Sequence, residues 1–427
     1  MAAVACVAGP AGLGLDVRVR ALRDAHLALW ALTPAAPPEP GPRVGRWRQW
    51  SNARAARRLI DDVVGQLGCF PEAESERKAW GEALRERLLL FGESRLGWPE
   101  GYRRLPFADS LVDATGEFVR EARRVAPSLP VEQLGQALRN VWIGHTLQLL
   151  LGRPVGLGAG LFAYSLLYPL TDNWLDDAGT DTSAKRAFQQ RFGRRLEGWP
   201  VKPADAREAT IFGLVERIER EFPRAAFPGV HESLLAIHAG QSRSLAQDNP
   251  RPPGEAAVLA ISFEKGGASV LADLYLVAGE ANEREQDFAF GYGVFLQLLD
   301  DLQDVDEDSA AGHETHFTRA RRRGPLDAEA SRLLHFIDRV LDGAQGLAPA
   351  PDLLDLVRRN ARGLLVSTVA ANPSLVSRGY RRRLEAECPL SFPAFRRLKR
   401  RAQRAWRPAA GPLLARVRSG DLSAAGL

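Results

Sequence analysis

The sequence contains little cysteine, lysine or methionine, and it has no stretch with the alternating hydrophobicity of a β-strand. Its three cysteines stand far apart in 427 residues, so neither a disulfide framework nor a cysteine metal site is expected. A reducing cytosol is therefore the predicted compartment. The N-terminus is apolar but has no basic segment, which argues against a signal peptide. Apolar residues instead recur at spacings of three and four, which predicts an all-α fold.

Long hydrophobic runs are also rare. The uncharged run at residues 154–171 has eighteen residues and just reaches the length at which a transmembrane helix becomes a candidate. It contains two prolines and three glycines, it ends in carboxylates, and no second run of this length follows it. We therefore predict a buried helix in a helical bundle rather than a membrane span.

Proline and charge divide the chain into three predicted parts. Residues 1–50 are expected to form a flexible arm, because the proline-rich linker at 33–42 cannot be helical. Residues 51–390 carry helical periodicity and form the all-α domain. Residues 391–427 form a basic amphipathic tail, in which segment 395–407 fits contact with an anionic membrane surface. Packing of that segment against the bundle, with its arginines toward solvent, is the slightly favoured alternative.

Two acidic clusters each follow a long uncharged run. The first, at 172–177, follows the run at 154–171, and the second, at 300–308, follows twelve uncharged residues at 288–299. Carboxylates four residues apart share one helix face and repel each other unless a cation neutralises them. Hard oxygen ligands suit Mg²⁺, which is normally shared with substrate phosphates. The clusters therefore predict a cage in which Mg²⁺ holds a diphosphate.

Six aspartates are the predicted metal ligands, and four of them are expected to act in catalysis. The ligands are Asp172, Asp176, Asp300, Asp301, Asp304 and Asp308. The catalytic residues are Asp172, Asp176, Asp300 and Asp304. The apolar, aromatic run at 161–168 precedes the first cluster. It could line a dry pocket in which aromatic faces stabilise a carbocation.

These motifs resemble those of the class I isoprenoid synthases, which include trans-polyprenyl diphosphate synthases, squalene and phytoene synthases and terpene cyclases. Asp-Asp-Leu-Gln-Asp at 300–304, led by Phe-Leu-Gln at 295–297, is similar to the second DDxxD motif of the trans-polyprenyl diphosphate synthases. The segment at 263–268 resembles the place of their diphosphate-binding lysine, and 240–241 resembles their Gly-Gln pair. The first acidic cluster resembles the DxxxDD form of squalene and phytoene synthases. The resemblance covers about residues 130–320.

The resemblance implies a helical bundle around a central apolar cavity, a prenyl diphosphate substrate and three Mg²⁺ ions. Lys265 is expected to contact the diphosphate. Phe162, Tyr164, Tyr168 and Gln297 are expected to line the cavity, and Tyr168 would then limit the chain length of the product. Alternatively, the tyrosines and Gln297 are ordinary core residues. A homodimer is a further expectation, and no nucleic-acid partner is expected.

The chain differs from the enzymes it resembles at two places, and these differences decide which reaction we predict. The trans-prenyltransferases carry an Arg-Arg pair shortly after their first motif, whereas this chain has Gly-Thr-Asp-Thr-Ser at 179–183, and no counterpart of their isopentenyl diphosphate site is found. Conversion of one prenyl diphosphate, as in terpene synthases, is therefore preferred. Prenyl chain transfer or head-to-head coupling is the alternative. A hypothesis from a different class is a non-catalytic helical protein that uses its net charge of +5 to bind nucleic acid or a membrane.

Overall fold

The computed structural model describes residues 14–71, 73–100, 102, 109–176, 179–248, 253–347, 351–409 and 411. Within these ranges the chain forms α-helices joined by short π-helical, 3₁₀-helical and irregular segments, and it contains no β-strand. This confirms the predicted all-α class. None of the helices in these ranges is both long and apolar enough to cross a membrane.

Seventeen α-helices are present in the described part of the chain. In chain order they are α1 (Leu15–Ala31), α2 (Arg46–Gly68), α3 (Glu74–Phe91), α4 (Asp109–Val125), α5 (Val131–Leu150), α6 (Ala159–Asp176), α7 (Thr182–Leu196), α8 (Ala206–Glu221), α9 (Pro228–Ser244), α10 (Glu255–Ala278), α11 (Glu283–Gln303), α12 (Val305–Ala311), α13 (His316–Arg323), α14 (Asp327–Gly343), α15 (Pro351–Ala371), α16 (Arg378–Glu387) and α17 (Phe392–Ala409).

Helices α10 and α11 form the centre of the bundle, and both are buried on nearly every face. A helix that is apolar all round must be covered on all sides, and α10 packs against α11, α9, α5, α6 and α1. The two central helices approach most closely at Gly266 and Gly293. A Cβ atom on residue 266 would lie 2.6 Å from the carbonyl oxygen of Gly293. Glycine therefore permits this crossing, which brings Lys265 beside the C-terminal half of α11.

The boundary between α11 and α12 sets the spacing of the second acidic cluster. α11 ends at Gln303, because Asp304 leaves helical geometry with φ −97° and ψ 8°, and α12 begins directly after it. The amide of Asp304 still donates to the carbonyl oxygen of Asp300 at 3.0 Å, and the amide of Asp308 donates to that of Asp304 at 2.8 Å. The three aspartates therefore keep nearly helical spacing across the break.

The described part of the predicted N-terminal arm is integrated into the bundle. α1 packs against α9, α10, α11 and α14. Its residues Val19, Leu22 and Trp30 are each no more than 4% exposed. The Trp30 ring meets Phe263 and Phe336 at centroid distances of 6.1 and 5.7 Å. The expectation of a flexible arm therefore needs correction over α1, because an apolar stripe on this helix completes the core.

The other predicted boundaries correspond only partly to the helices. The segment 33–45 contains no helix, as its prolines predict. α2 crosses the expected boundary at residue 50. α17 begins at Phe392, close to the predicted start of the tail, and packs against α2 and α15. Residues 1–13, 410 and 412–427 lie outside the described ranges.

Candidate functional site

A cavity of about 340 Å³ lies inside the bundle between α5, α6, α9, α10 and α11. Its charged side chains gather on one side, where Asp300 interacts electrostatically with Lys265 and Arg139. Asp300 and Tyr168 are also exposed to solvent, so this side is the mouth. The remaining wall is mainly apolar, and its residues include Ile143, Leu167, Phe192, Leu196, Leu234, Ile237 and Val270.

The first acidic cluster reaches the rim of this cavity through α6. Tyr168 and Thr171 line the cavity, and Asp172 follows them directly. The Asp172 Oδ1 atom accepts hydrogen bonds from Gln241 Nε2 at 2.7 Å and from Thr171 Oγ1 at 3.2 Å. Because both donors line the cavity, Asp172 lies at its edge.

Asp300 brings the second cluster to the same rim. Asp300 reaches solvent, but the walls of the mouth exclude much of the water around its carboxyl, and this desolvation raises its pKa. Attraction to Lys265 and Arg139 acts in the opposite direction. One turn later, partial burial and repulsion from Asp300 and Glu307 raise the pKa of Asp304. The structure thus brings Asp172, Asp300 and Lys265 together at one cavity, as the sequence predicts.

Asp301 is turned away from the cavity, although it directly follows Asp300. It is 6% exposed and accepts hydrogen bonds from Gln297 Nε2 at 2.8 Å and from Ser262 Oγ at 2.9 Å. Burial raises the pKa of Asp301 to about 6. Gln297 lines the cavity as predicted. Both carboxylate oxygens of Asp301 thus accept hydrogen bonds from neighbouring side chains, and one of these holds Gln297 in place. Its role as a metal ligand stays a prediction.

Asp308 on α12 shares the electrostatic environment of this cluster. Burial raises the pKa of Asp308 to about 6; nearby His313 opposes the rise, and repulsion from Asp301, Asp304 and Asp300 adds to it. The raised pKa values mean that the negative charges of these carboxylates are not fully balanced by nearby positive charge or by water. A divalent cation would supply the missing compensation.

The described ranges contain no group of three or more His, Cys, Asp or Glu side chains arranged to hold a metal ion. The side chain of Asp176, where α6 ends, lies outside those ranges, as does all of residue 177. The donor chemistry nevertheless fits Mg²⁺, because this ion prefers carboxylate oxygen. One or two carboxylates are enough when substrate phosphates complete its coordination.

Comparison with known proteins adds no assignment. No protein-family model matches the chain, and no curated protein matches it at a significant level.

The three predicted aromatic residues differ in position. Tyr164 lines the cavity, and its hydroxyl donates to the carbonyl oxygen of Ser269 at 3.2 Å. Tyr168 lines the mouth and is 41% exposed. Phe162 is not among the lining residues; its ring packs against Phe118 at a centroid distance of 5.4 Å. Two residues turn a helix by about 200°, so Phe162 and Tyr164 cannot share one face, and the prediction for Phe162 is corrected.

Arg139 on α5 is a cavity residue that the sequence reasoning missed. It lines the cavity and acts on both Asp300 and Asp304. A usable signal was present, because Arg139 precedes the uncharged run at 140–152. The same pattern, a charge next to a long uncharged run, identified the two acidic clusters.

A buried polar cluster behind the wall was also missed. Asn140 lines the cavity, and its Nδ2 atom donates to Asp273 Oδ1 at 2.8 Å and to Ser165 Oγ at 3.0 Å. Asp273 is completely buried, and its Oδ2 atom has no hydrogen-bond partner among the described residues. Burial raises the pKa of Asp273 well above its usual range, which favours the neutral acid. Asp273 follows Lys265 by two helical turns, about 12 Å along α10.

Proposed function

We propose that the protein is a Mg²⁺-dependent class I isoprenoid synthase that ionises an allylic prenyl diphosphate. The observation that carries this proposal is that Asp172 on α6 and Asp300 on α11 lie at the rim of one cavity. Lys265 on α10 lines the same cavity. A charged rim above an apolar interior suits a molecule with a diphosphate head and a hydrocarbon tail. We further propose that the enzyme converts a single substrate, as terpene synthases do.

The rim residues have separate proposed roles. Lys265 and Arg139 would contact phosphate oxygens, for which a guanidinium offers paired donors. Gln297 would be held in place by Asp301. Mg²⁺ held by the rim carboxylates would neutralise charge that develops on the departing diphosphate. The proposed ligands of Mg²⁺ are Asp172, Asp176, Asp300, Asp304 and Asp308.

The apolar wall would protect the cation that remains after the diphosphate departs. Leu167, Ile237 and Val270 belong to this wall and offer no nucleophile. The ring of Tyr164 could stabilise positive charge, as aromatic faces do for cations within about 6 Å. Exclusion of water from such a space prevents early capture of the cation.

The distribution of positive charge favours one substrate over two. Among the described residues of the cavity wall, Lys265 and Arg139 are the lysine and arginine side chains, and both act on Asp300. The two cations therefore lie close enough to bind the diphosphate of one substrate, and the described wall offers no second cationic group for another. Chain transfer to a second substrate, or head-to-head coupling, remains the alternative reaction.

Product analysis tests the proposal. The protein would be incubated with Mg²⁺ and geranyl, farnesyl or geranylgeranyl diphosphate, with and without isopentenyl diphosphate, and the products identified by mass spectrometry. We expect diphosphate release and a hydrocarbon or alcohol from one of these substrates alone. A longer prenyl diphosphate that forms only with both substrates would instead establish chain transfer.

Variants at the rim separate this chemistry from contamination. Asp172→Ala and Asp300→Ala should each abolish turnover while circular dichroism shows unchanged helix content. Asp306→Ala is the matched control, because Asp306 is exposed and accepts a hydrogen bond from Asn372 Nδ2 at 2.8 Å. Equal activity of all three variants would contradict the proposed site.

A further inference from the structure

Helices α2 and α17 lie side by side on the surface and run in the same direction. Asn52, near the start of α2, donates through Nδ2 to the carbonyl oxygen of Pro389 at 3.0 Å, just before α17 begins. Further along both helices, Arg401 Nε donates to Asp61 Oδ1 at 2.7 Å. These two contacts establish the parallel pairing.

This helix pair concentrates the positive charge of the chain. α2 contains five arginines and two aspartates, and α17 contains seven basic residues and no acidic one. The pair therefore has a formal charge of +10, whereas the whole chain has +5. The rest of the protein is thus negative overall, so the general abundance of arginine does not explain this concentration.

Exposed tryptophans lie on the same two helices. Trp47 and Trp50 on α2 are 77% and 55% exposed, and Trp406 on α17 is 44% exposed. The guanidinium of Arg54 lies 4.8 Å from the centre of the Trp50 ring. Trp47, Trp50 and Arg54 are three and four residues apart, so they lie on one stripe of α2. Seven residues further, this stripe reaches Asp61, which contacts Arg401 on α17. We call the exposed residues of α2 and α17 the arginine–tryptophan face.

The chemistry of this face matches the surface of an anionic bilayer. Indole rings favour the level of the lipid headgroups, and basic side chains are attracted to anionic lipids. A nucleic acid would attract the same arginines, but proteins that bind single strands stack bases on aromatic rings inside a groove. Here the tryptophans stand near opposite ends of two outward-facing helices. The observations therefore favour a flat, extended partner.

The start of α17 is connected to the second acidic cluster through the end of α15. Arg396 in the first turns of α17 donates to the carbonyl oxygen of Ala370 at 2.9 Å. Two residues later, Asn372 donates at 2.8 Å to Asp306, which belongs to that cluster. The arginine–tryptophan face is therefore linked by side-chain contacts to α12.

We propose that the arginine–tryptophan face docks the protein on an anionic lipid bilayer. Arginines contact the headgroups, and Trp47, Trp50 and Trp406 enter the interfacial layer. This binding does not depend on the proposed reaction, so each can fail without the other.

Co-sedimentation of the full chain with lipid vesicles tests the docking. Vesicles of phosphatidylcholine alone would be compared with vesicles in which about one third of the lipid is phosphatidylglycerol, at low and high salt. We expect retention on the anionic vesicles only, loss of retention at high salt, and a blue shift of tryptophan emission on binding. Equal retention on both kinds of vesicle would overturn the proposal. So would stronger retention on duplex or single-stranded DNA at the same phosphate concentration.

Matched variants locate the contact. Each basic side chain near an anionic surface contributes about fivefold to the partition coefficient, so removal of three should reduce it about a hundredfold. All substituted side chains are exposed, and circular dichroism would verify that each variant folds. Unchanged partitioning of both face variants, or equal losses in the controls, would contradict the assignment of this face. The face variants are Trp47→Ala with Trp50→Ala, and Arg57→Gln with Arg400→Gln and Arg404→Gln; their controls are Trp199→Ala, and Arg186→Gln with Arg220→Gln and Arg339→Gln.

Discussion

Individual charges at the rim of the cavity determine what the candidate site can bind. Lys265 and Arg139 both attract Asp300 and so oppose the rise that burial causes in its pKa. Lys265 and Arg139 therefore favour the ionised form of Asp300. A carboxyl group must be ionised to bind a metal ion. The same two cations are available to phosphate oxygens, so one set of charges can serve both the metal and the leaving group.

Lys265 provides the most direct residue-scale prediction. Lys265→Ala should lower the rate of diphosphate release about 100-fold, because a fixed positive charge facing the leaving group is lost. Release of inorganic diphosphate from the best substrate measures this rate. Lys202→Ala, which changes an exposed lysine before α8, is the control. A normal rate in Lys265→Ala would exclude contact between Lys265 and the diphosphate.

Asp301 predicts a pH dependence of stability. Its pKa in the folded state is about 6, above the ordinary value of 3.8, so the folded state binds this proton more tightly than the unfolded state. The contribution to the free energy of unfolding is therefore greatest below pH 4. It falls by on the order of 3 kcal/mol as the pH rises through 6.

Asp301→Asn should remove much of this pH dependence. The variant should gain stability relative to the parent at pH 7 and little at pH 4, since Asn carries no charge to bury. Urea unfolding at several pH values in the presence of EDTA measures the difference. Parallel stability curves for the two proteins would contradict the burial of a titrating carboxylate at this position.

At the scale of helices, the crossing of α10 and α11 positions the site. The two backbones approach at Gly266 and Gly293. Gly266 directly follows Lys265, and a Cβ atom on residue 266 would overlap the Cβ atom of Gln297. A side chain at this point would push the helices apart and separate Lys265 from Asp300. The geometry of the rim thus depends on residues that carry no chemistry of their own.

Gly293→Ala should therefore destabilise the protein by about 1–3 kcal/mol, because the added methyl group overlaps the backbone of α10. Thermal and urea unfolding measure this loss. Gly363→Ala in α15 is the control, since a Cβ atom there meets nothing within 4 Å. That control should gain about 0.5–1 kcal/mol from helix propensity. Equal stability of Gly293→Ala and the parent would show that the crossing is looser than described.

At the scale of the whole molecule, α1 joins the chain's beginning to its central helices. Trp30 packs against Phe263 of α10 and Phe336 of α14. α1 thus packs against α10, and it also contacts α9, α11 and α14. We therefore expect α1 to contribute to the stability of the bundle around the site.

Trp30→Ala tests this integration. The substitution should lower the free energy of unfolding by about 3–5 kcal/mol, because a large buried side chain is removed from a packed core. Trp47→Ala is the control and should change stability by less than about 0.5 kcal/mol, since its ring is 77% exposed. Similar small losses in both variants would mean that α1 is only loosely attached.

Local patterns in the chain were sufficient for the helical class and for part of the site. Periodicity of three and four residues predicts helices whatever their neighbours are. Asp172 and Asp300 stood out because each is a charge after an uncharged stretch, and Lys265 because its segment resembles the place of a diphosphate-binding lysine. The structure brings all three to one cavity. Tyr164, Tyr168 and Gln297 also line it. The metal and the reaction stay predictions.

Helix formation and the places where charges interrupt apolar runs are encoded locally, because both depend on neighbours along the chain. Which helix face meets the cavity depends instead on packing between helices that are distant in sequence. Asp301 differs from Asp300 on α11, and Phe162 from Tyr164 on α6, by a rotation about the helix axis. The uncharged runs of these two helices are too uniformly apolar to indicate which face meets the cavity. Arg139, Asn140 and Asp273 likewise meet the cavity or its wall through packing between distant helices. The uncharged run after Arg139 marks this residue in the sequence, but the contacts themselves depend on how the helices cross and cannot be read from local spacing.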